Sequence, residues 1–312
     1  MHDVTFDCMG ARMRLLADGA DDRAVAAAQA LLHDIDARLS RFRPDSELAR
    51  LNADPRATVP ASALLRAAVA AAVWAAERTG GLVDPTLLDP LEQQGYARSL
   101  TGRPRLPLAP ALAGAPPRRP AAARGDAPWR AIRVDNAAGT ITRPPGLRLD
   151  TGGTTKGLAA DAAARVLAGA DRFVVDCAGD LHVAAGADPY DVAVGDTGPD
   201  PVFLRVGAGG VATSGLGRRI WSGPDGRPAH HLLDPATGAP AWTGLVAATA
   251  LAPSALAAEA LAKAALLAGP AGARRVLARA GGVLVHDDGT VERVGAAARP
   301  VLRVRRADLV AA

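Results

Sequence analysis

The chain has 312 residues, 49% hydrophobic and 22% charged, with a formal net charge of +4. That length holds one large domain or two ordinary ones, and the balance suits a chain that buries a core. Aromatic residues make up only 3%, so the core must come mostly from Ala, Leu and Val. The basic clusters Arg118-Arg119 and Arg303, Arg305, Arg306 lie in Pro-rich or terminal stretches without interleaved aromatic rings, which leaves nucleic-acid binding unsupported. Two cysteines, Cys8 and Cys177, make neither a disulfide framework nor a zinc site. Met1 to Cys8 lack the basic and apolar regions of a leader. No run of about 18 apolar residues is long enough to span a bilayer. A reduced, cytoplasmic protein without direct membrane insertion is expected.

Along the chain, Val4–Phe6 and Met13–Leu16 read as strands about a turn at Gly10. Asp21 and Asp22 can cap a helix to about Leu39, with Ala24, Ala27, Leu31, Ile35 and Leu39 at helical spacing. A second helix fits 62–78, with Ser62 as N-cap and Gly80-Gly81 as its stop. Residues 97–128 are Pro, Ala, Gly and Arg without periodicity, and read as a mobile surface insertion within one domain. Ile132–Val134 and Thr140–Thr142 suggest a hairpin, and Leu147–Asp150 a strand entering a Gly-rich turn and a helix from about Lys156 to Leu167. Strands at 173–176, 181–183 and 192–194 follow, then helices at about 255–268 and 271–280, and short closing strands. Helices and strands mix without a strict βαβ repeat, so the expected class is α+β with mostly antiparallel sheets packed with helices.

Three stretches carry chemistry. Asp150-Thr151-Gly152-Gly153-Thr154-Thr155-Lys156-Gly157 is a glycine turn at a helix N-terminus, where backbone N–H groups can meet an anion. Lys156 in the first helical turn opposes the helix dipole, which suggests a phosphate partner; the alternative is an ordinary capping turn. The spacing fits neither a P-loop nor G-x-G-x-x-G. Asp150-Thr151-Gly152 and Asp196-Thr197-Gly198 also resemble the paired carboxylates of an aspartic protease, a remote alternative. His230 and His231 are adjacent, so in a strand they face opposite ways and cannot share one metal. Thr213-Ser214-Gly215 with Arg218 and Arg219 is either a phosphate-holding group or a polar turn.

In order, these stretches resemble the ApbE family, the FAD:protein FMN transferases, from Met9-Gly10 to about Gly269. Leu39-Ser40-Arg41-Phe42, Ser46-Glu47-Leu48 and Leu51-Asn52 match its "LS-x-[YF]-x-x-x-SEL-x-x-LN" segment. Gly81-Leu82-Val83-Asp84-Pro85-Thr86 matches "G-x-F-DPT", with Gly95-Tyr96 after it. Asp150 to Gly157 match "DLGGIAKG", with Asp161 downstream, and Asp176 to Asp180 match "N-x-GGD". Ala212 to Gly215 match "ATSG", and His231 to Gly238 match "H-I-I-DP-x-TG". The resemblance implies one domain, and transfer of FMN from FAD to a Ser/Thr hydroxyl of an acceptor protein with release of AMP. A relative that binds or hydrolyses FAD without transfer is the alternative.

The resemblance implies FAD contacts at Met9, Phe42, Leu82, Val83, Asp84, Thr86, Asp150, Lys156, Ser214 and Leu233, with Phe42 packing on the flavin ring. His231 and Lys263 become the catalytic candidates. Members of the family bind Mg²⁺ through a glycine-turn carbonyl, here Gly153, and through an Asp and a Thr four residues apart on a helix. Glu259 and Lys263 occupy those two positions. A charged Lys cannot ligate Mg²⁺, which leaves metal use open. Either the pair is an i,i+4 ion pair, or the Lys263 ammonium stands where a cation stands in the family.

Overall fold

A computed structural model describes residues 1–100, 104–186, 188–194, 202–295 and 309–311. It opens with the hairpin β1 (His2–Cys8) and β2 (Ala11–Asp18), whose turn places Met9 and Gly10 at φ 52° and 69°. Two left-handed residues give the twist that a two-residue hairpin loop needs. The expected helices follow as α1 (Asp22–Leu39), capped by Asp21, and α3 (Ala63–Arg78), capped by Ser62. Between them lie α2 (Glu47–Ala53) and β3 (Thr58–Pro60), and after them α4 (Leu88–Gln93) and α5 (Leu108–Ala113). A 3₁₀ turn at Pro128–Ala131 leads to β4 (Arg133–Asp135), β5 (Thr140–Thr142) and α6 (Thr155–Val166). Next come β6 (Arg172–Asp176), β7 (Asp180–Ala184), β8 (Tyr190–Val194), β9 (Val202–Val206) and β10 (Ala208–Gly215). Short pieces β11 (Ile220–Ser222), β12 (Pro228–His230), β13 (Leu233–Asp234) and β14 (Ala239–Pro240) precede β15 (Leu245–Ala252). The chain then forms α7 (Ala255–Leu267), α8 (Gly269–Leu277), β16 (Gly282–His286), β17 (Val291–Val294) and β18 (Leu309–Ala311).

Eight of the described strands form one antiparallel sheet in the order β1-β2-β6-β7-β10-β15-β16-β17. Period-two alternation assigns its two faces. In β6, Phe173 and Val175 join a core with α1, α3 and α6, while Val174 points to the opposite face. In β16, Leu284 joins a second core with α7 and α8, while Val283 turns away. The opposite face is covered by Tyr190, Val192 and Val194 of β8 and by Leu204 and Val206 of β9. Helices, sheet and hairpin thus make three layers, and the α+β class holds.

Two expectations are corrected. Leu147–Asp150 joins no sheet; the side chain of Asn52 takes the place of a neighbouring strand. Asn52 Oδ1 accepts from the Leu149 N–H at 2.7 Å, and its Nδ2 donates to the Leu149 carbonyl at 2.8 Å. Nor is the 97–128 stretch a free loop where it is described; Thr101–Arg103 lie outside the described residues. Leu106, Arg119 and Ala121 donate backbone N–H groups to the carbonyls of Ile220, Trp242 and Leu267 at 3.0, 2.9 and 2.8 Å. Ala111 of α5 is buried in the second core, with Leu106, Leu108 and Leu112 packed on it. Proline removes donors, but small apolar side chains and the remaining N–H groups still fasten the strap. Among the described residues, no helix is long and apolar enough to cross a membrane.

Candidate functional site

The glycine turn is held from two sides. Asn52 fixes Leu149, and the Asp150 N–H donates to the Pro85 carbonyl at 2.8 Å, joining this turn to the Asp84-Pro85-Thr86 turn. In that second turn Asp84 Oδ1 accepts from the Thr86 N–H at 2.8 Å and from its hydroxyl at 2.6 Å. Asp84 Oδ2 is buried without a hydrogen-bond partner, and burial raises the pKa of this carboxyl against the pull of Thr86.

Beyond the turn, α6 meets α7 backbone to backbone. A Cβ on Gly157 would lie 2.7 Å from the Ala255 carbonyl oxygen and from the Leu256 backbone, so this position admits glycine alone without a shift. The Gly157 N–H donates to Glu259 Oε2 at 2.8 Å. One helical turn later Asp161 accepts from the Ala255 and Leu256 N–H groups at 2.8 and 3.0 Å, capping α7, and lies 2.7 Å from His182 Nδ1. Asp161 and Glu259, each reaching the other helix's backbone, set the register of α6 on α7.

That register gathers charge. Lys156 pairs with Asp180, which is buried at the start of β7 and keeps Oδ1 without a partner. Burial pushes the Lys156 ammonium pKa down, but Asp180 and then Glu259 outweigh it and raise it. Glu259 is fully buried, and Lys263 Nζ donates to its Oε1 at 2.9 Å. The Lys263 stem runs beside the glycine turn: a Cβ on Gly153 would sit 3.6 Å from Lys263 Cε. Burial and then the Asp180 charge raise the Glu259 carboxyl, with Lys263 and Lys156 pulling the other way. His231 belongs to the same group. Burial, then Arg219, His230, Lys263 and Lys156, push its pKa well below the usual imidazole value, and its Nδ1 is buried without a partner. The His231 ring is therefore held in its neutral form. His230 turns the other way, into the interior and edge-on to Trp242 at 4.6 Å.

The other end is aromatic. Phe42, 38% exposed, lies 5.5 Å from Tyr96, which lies 5.1 Å from Trp221. Leu233 packs into this cluster with Leu87 and Leu91. The Arg41 guanidinium covers the Phe42 ring at 4.1 Å and the Tyr96 ring at 4.4 Å, and reaches Asp150 Oδ2 at 3.3 Å. Arg41 thus ties the aromatic end to the glycine turn.

Phe42, Asp84, Thr86, Asp150, Gly153, Lys156, His231, Leu233, Glu259 and Lys263 are linked by these contacts. Val83 packs against Ala75 and against Ala260 of α7, and Leu82 packs on the second core. Met9 lies at the hairpin tip against the first core, and Ser214 is buried in β10 beside Ala248 of β15. Arg41, Asn52 and Asp180 were missed as site residues, although each lies in a motif, while Arg219, read beside Thr213-Ser214-Gly215, acts on His231. A buried carboxylate at a strand start and a basic residue beside an aromatic one were the available signals. The second Asp-Thr-Gly, 196–198, lies outside the described residues, and Asp150 is engaged by Arg41 and by the Gly152 N–H at 2.8 Å.

The donor set does not fit Mg²⁺. Among the described residues no three His, Cys, Asp or Glu side chains are placed to hold a metal. At Glu259 one oxygen accepts from the Gly157 N–H, and the other faces an ammonium, which has no lone pair to give a metal.

Comparison with known proteins gives the family. The chain is 28% identical over 290 residues to an FAD:protein FMN transferase of Salmonella typhimurium, covering 88% of this chain and 80% of that one. A Klebsiella pneumoniae protein of the same name is also 28% identical, over 292 residues. The crystal structure of an ApbE protein from Thermotoga maritima superposes with a TM-score of 0.76 at 25% identity, covering 94% of this chain and 96% of that one. The apo flavinyl transferase ApbE of Pseudomonas stutzeri gives 0.74 at 24% identity, covering 94% of both chains, a likeness of fold. The ApbE family model matches residues 9–285, a span that contains every residue of the cluster described above, and the chain belongs to the ApbE family.

Proposed function

We propose that this chain is an FAD:protein FMN transferase, which moves FMN from FAD to a Ser or Thr hydroxyl of an acceptor protein and releases AMP. One observation carries the reading. A half-exposed aromatic ring, Phe42, is joined through Arg41 and Asp150 to a glycine turn beside Lys156, Lys263 and a neutral His231. Flavin, pyrophosphate and proton transfer each find a matching surface in that order. Phe42 and Leu233 pack on the flavin ring, and Met9, Leu82 and Val83, which lie outside the aromatic cluster, meet FAD elsewhere along its length. Asp84, Thr86, Asp150 and Ser214 supply polar contacts, and Lys156 faces the pyrophosphate.

In the reaction the acceptor oxygen forms a bond to the flavin-side phosphorus, and the bond from that phosphorus to the bridging oxygen breaks. AMP leaves with the bridging oxygen. The hydroxyl proton goes to His231, whose unprotonated ring suits a general base. Lys156 and Lys263 stabilise charge on the phosphoryl oxygens. A cytoplasmic setting belongs to the same proposal, supported by two buried, free thiols, Cys8 and Cys177.

Incubation of the purified chain with FAD tests this. With an acceptor-bearing extract added, AMP and covalently protein-bound FMN should appear in equal amounts, and both should fall about a hundredfold in His231→Ala. FAD left intact in the presence of acceptor-bearing extract would overturn the reading.

A further inference from the structure

We propose that Lys263 is a built-in replacement for a divalent cation, so that this protein binds and cleaves FAD without Mg²⁺. The proposal rests on the transferase reading and adds its cation chemistry. Three observations place the ammonium. It donates to Glu259 Oε1 at 2.9 Å, the contact that a bound cation would make with that oxygen. The lysine stem fills the space in front of Gly153, the turn that approaches the ligand. The side chain is 13% exposed and its carboxylate partner not at all, so the charge sits in a weakly screened interior.

A surface i,i+4 pair would be worth a few tenths of a kcal/mol, roughly, but this pair is buried, where the cost of desolvating two charges can exceed their attraction unless further partners satisfy them. The surroundings name such a partner. Lys156 as well as Lys263 acts on the Glu259 carboxyl, and Arg219 adds its charge at His231. Opposing them, Asp180 is committed to Lys156 and Glu259 to Lys263. An anion entering between the two lysines meets two ammonium groups, each already neutralising one carboxylate. A pyrophosphate, with charged oxygens on two phosphorus atoms, is the ligand chemistry that can engage two ammonium groups. The bond changes are those of the transfer itself. Lys263 neutralises charge on the oxygens as the phosphorus–oxygen bond breaks, and is itself neither consumed nor deprotonated.

The experiment compares FAD binding by calorimetry, and AMP release, in EDTA and in millimolar Mg²⁺. Affinity and rate should agree within twofold between the two conditions. Electron paramagnetic resonance with Mn²⁺ alone should show no ion bound to the free protein. Lys263→Met should weaken FAD at least tenfold in EDTA, and Lys263→Arg should keep binding metal-independent, with thermal melts checking that each variant folds. If Lys263→Met does not fold, the wild-type comparison decides alone. FAD binding or cleavage that rises tenfold or more with Mg²⁺ in wild type would overturn the proposal while leaving the FAD reading intact. Absence of FAD binding in both conditions would instead overturn the reading on which it rests.

Discussion

Gly157 and Glu259 meet across the contact of α6 and α7, where the glycine N–H donates to the carboxylate at 2.8 Å and no Cβ fits between the helices. This contact fixes how far α7 lies from the glycine turn, and so where the Lys263 ammonium sits. Gly157→Ala should part the helices and weaken the hydrogen bond, costing about 3 kcal/mol of stability by overpacking a close contact. Denaturant unfolding measures it. A loss below about 0.5 kcal/mol, the size of an ordinary surface change, would mean that the helices separate freely.

Asn52 stands in for a β-strand beside Leu149. Asn52→Ala leaves an N–H and a carbonyl without their partner, and should cost about 2 kcal/mol. It should also weaken FAD, because Asp150 follows directly. Unchanged stability together with unchanged FAD affinity would show that the turn holds its shape without this clamp.

His230 gives the fold a pH dependence. Burial holds its imidazole near 3, against an ordinary value of 6.5. The folded state therefore resists protonation, so the contribution to stability is complete above pH 6.5 and is lost as pH falls towards 3. Asp176 opposes this trend. Burial raises its carboxyl to about 6, so its contribution is present at low pH and lost as pH rises from about 4 to 6. The stability difference between wild type and His230→Asn isolates the histidine. It should shrink by about 1.4 kcal/mol per unit as pH falls below 6.5. A difference that stays constant from pH 7.5 to 4.5, approximately that span of the titration, would contradict the burial of a neutral ring.

The two ends of the site should separate by ligand. Phe42→Ala should weaken riboflavin and FAD by a similar factor, about tenfold for one stacked ring. Lys156→Ala should weaken FAD far more than riboflavin, which lacks the pyrophosphate. Equal losses for both ligands in Lys156→Ala would assign the lysine to the fold, through Asp180, instead of to the ligand.

Periodicity and caps made α1 and α3 legible in the sequence, because Asp21 and Ser62 stand directly before their apolar stripes. Motif order singles out Asp84, Asp150 and Lys156, whose turns the fold joins, whereas Ser214 lies in β10 and Met9 at the hairpin tip. Long-range partners were not legible. Asn52 meets Leu149 across 97 positions, and Asp161 caps a helix that begins 94 positions later. No local pattern encodes such pairings. Arg41 escaped notice because an arginine beside an aromatic residue is common on solvated surfaces, and only the fold brings Asp150 to it. The Pro-rich strap was misread because its anchors are isolated N–H groups and small side chains with no period to detect.

A site that takes flavin at Phe42 and pyrophosphate at Lys156 should take the whole dinucleotide. Calorimetry of the full chain with FAD and with FMN tests it most directly. FAD should bind with one site per chain and at least tenfold more tightly than FMN. FMN binding as tightly as FAD, or no binding of either, would contradict the account.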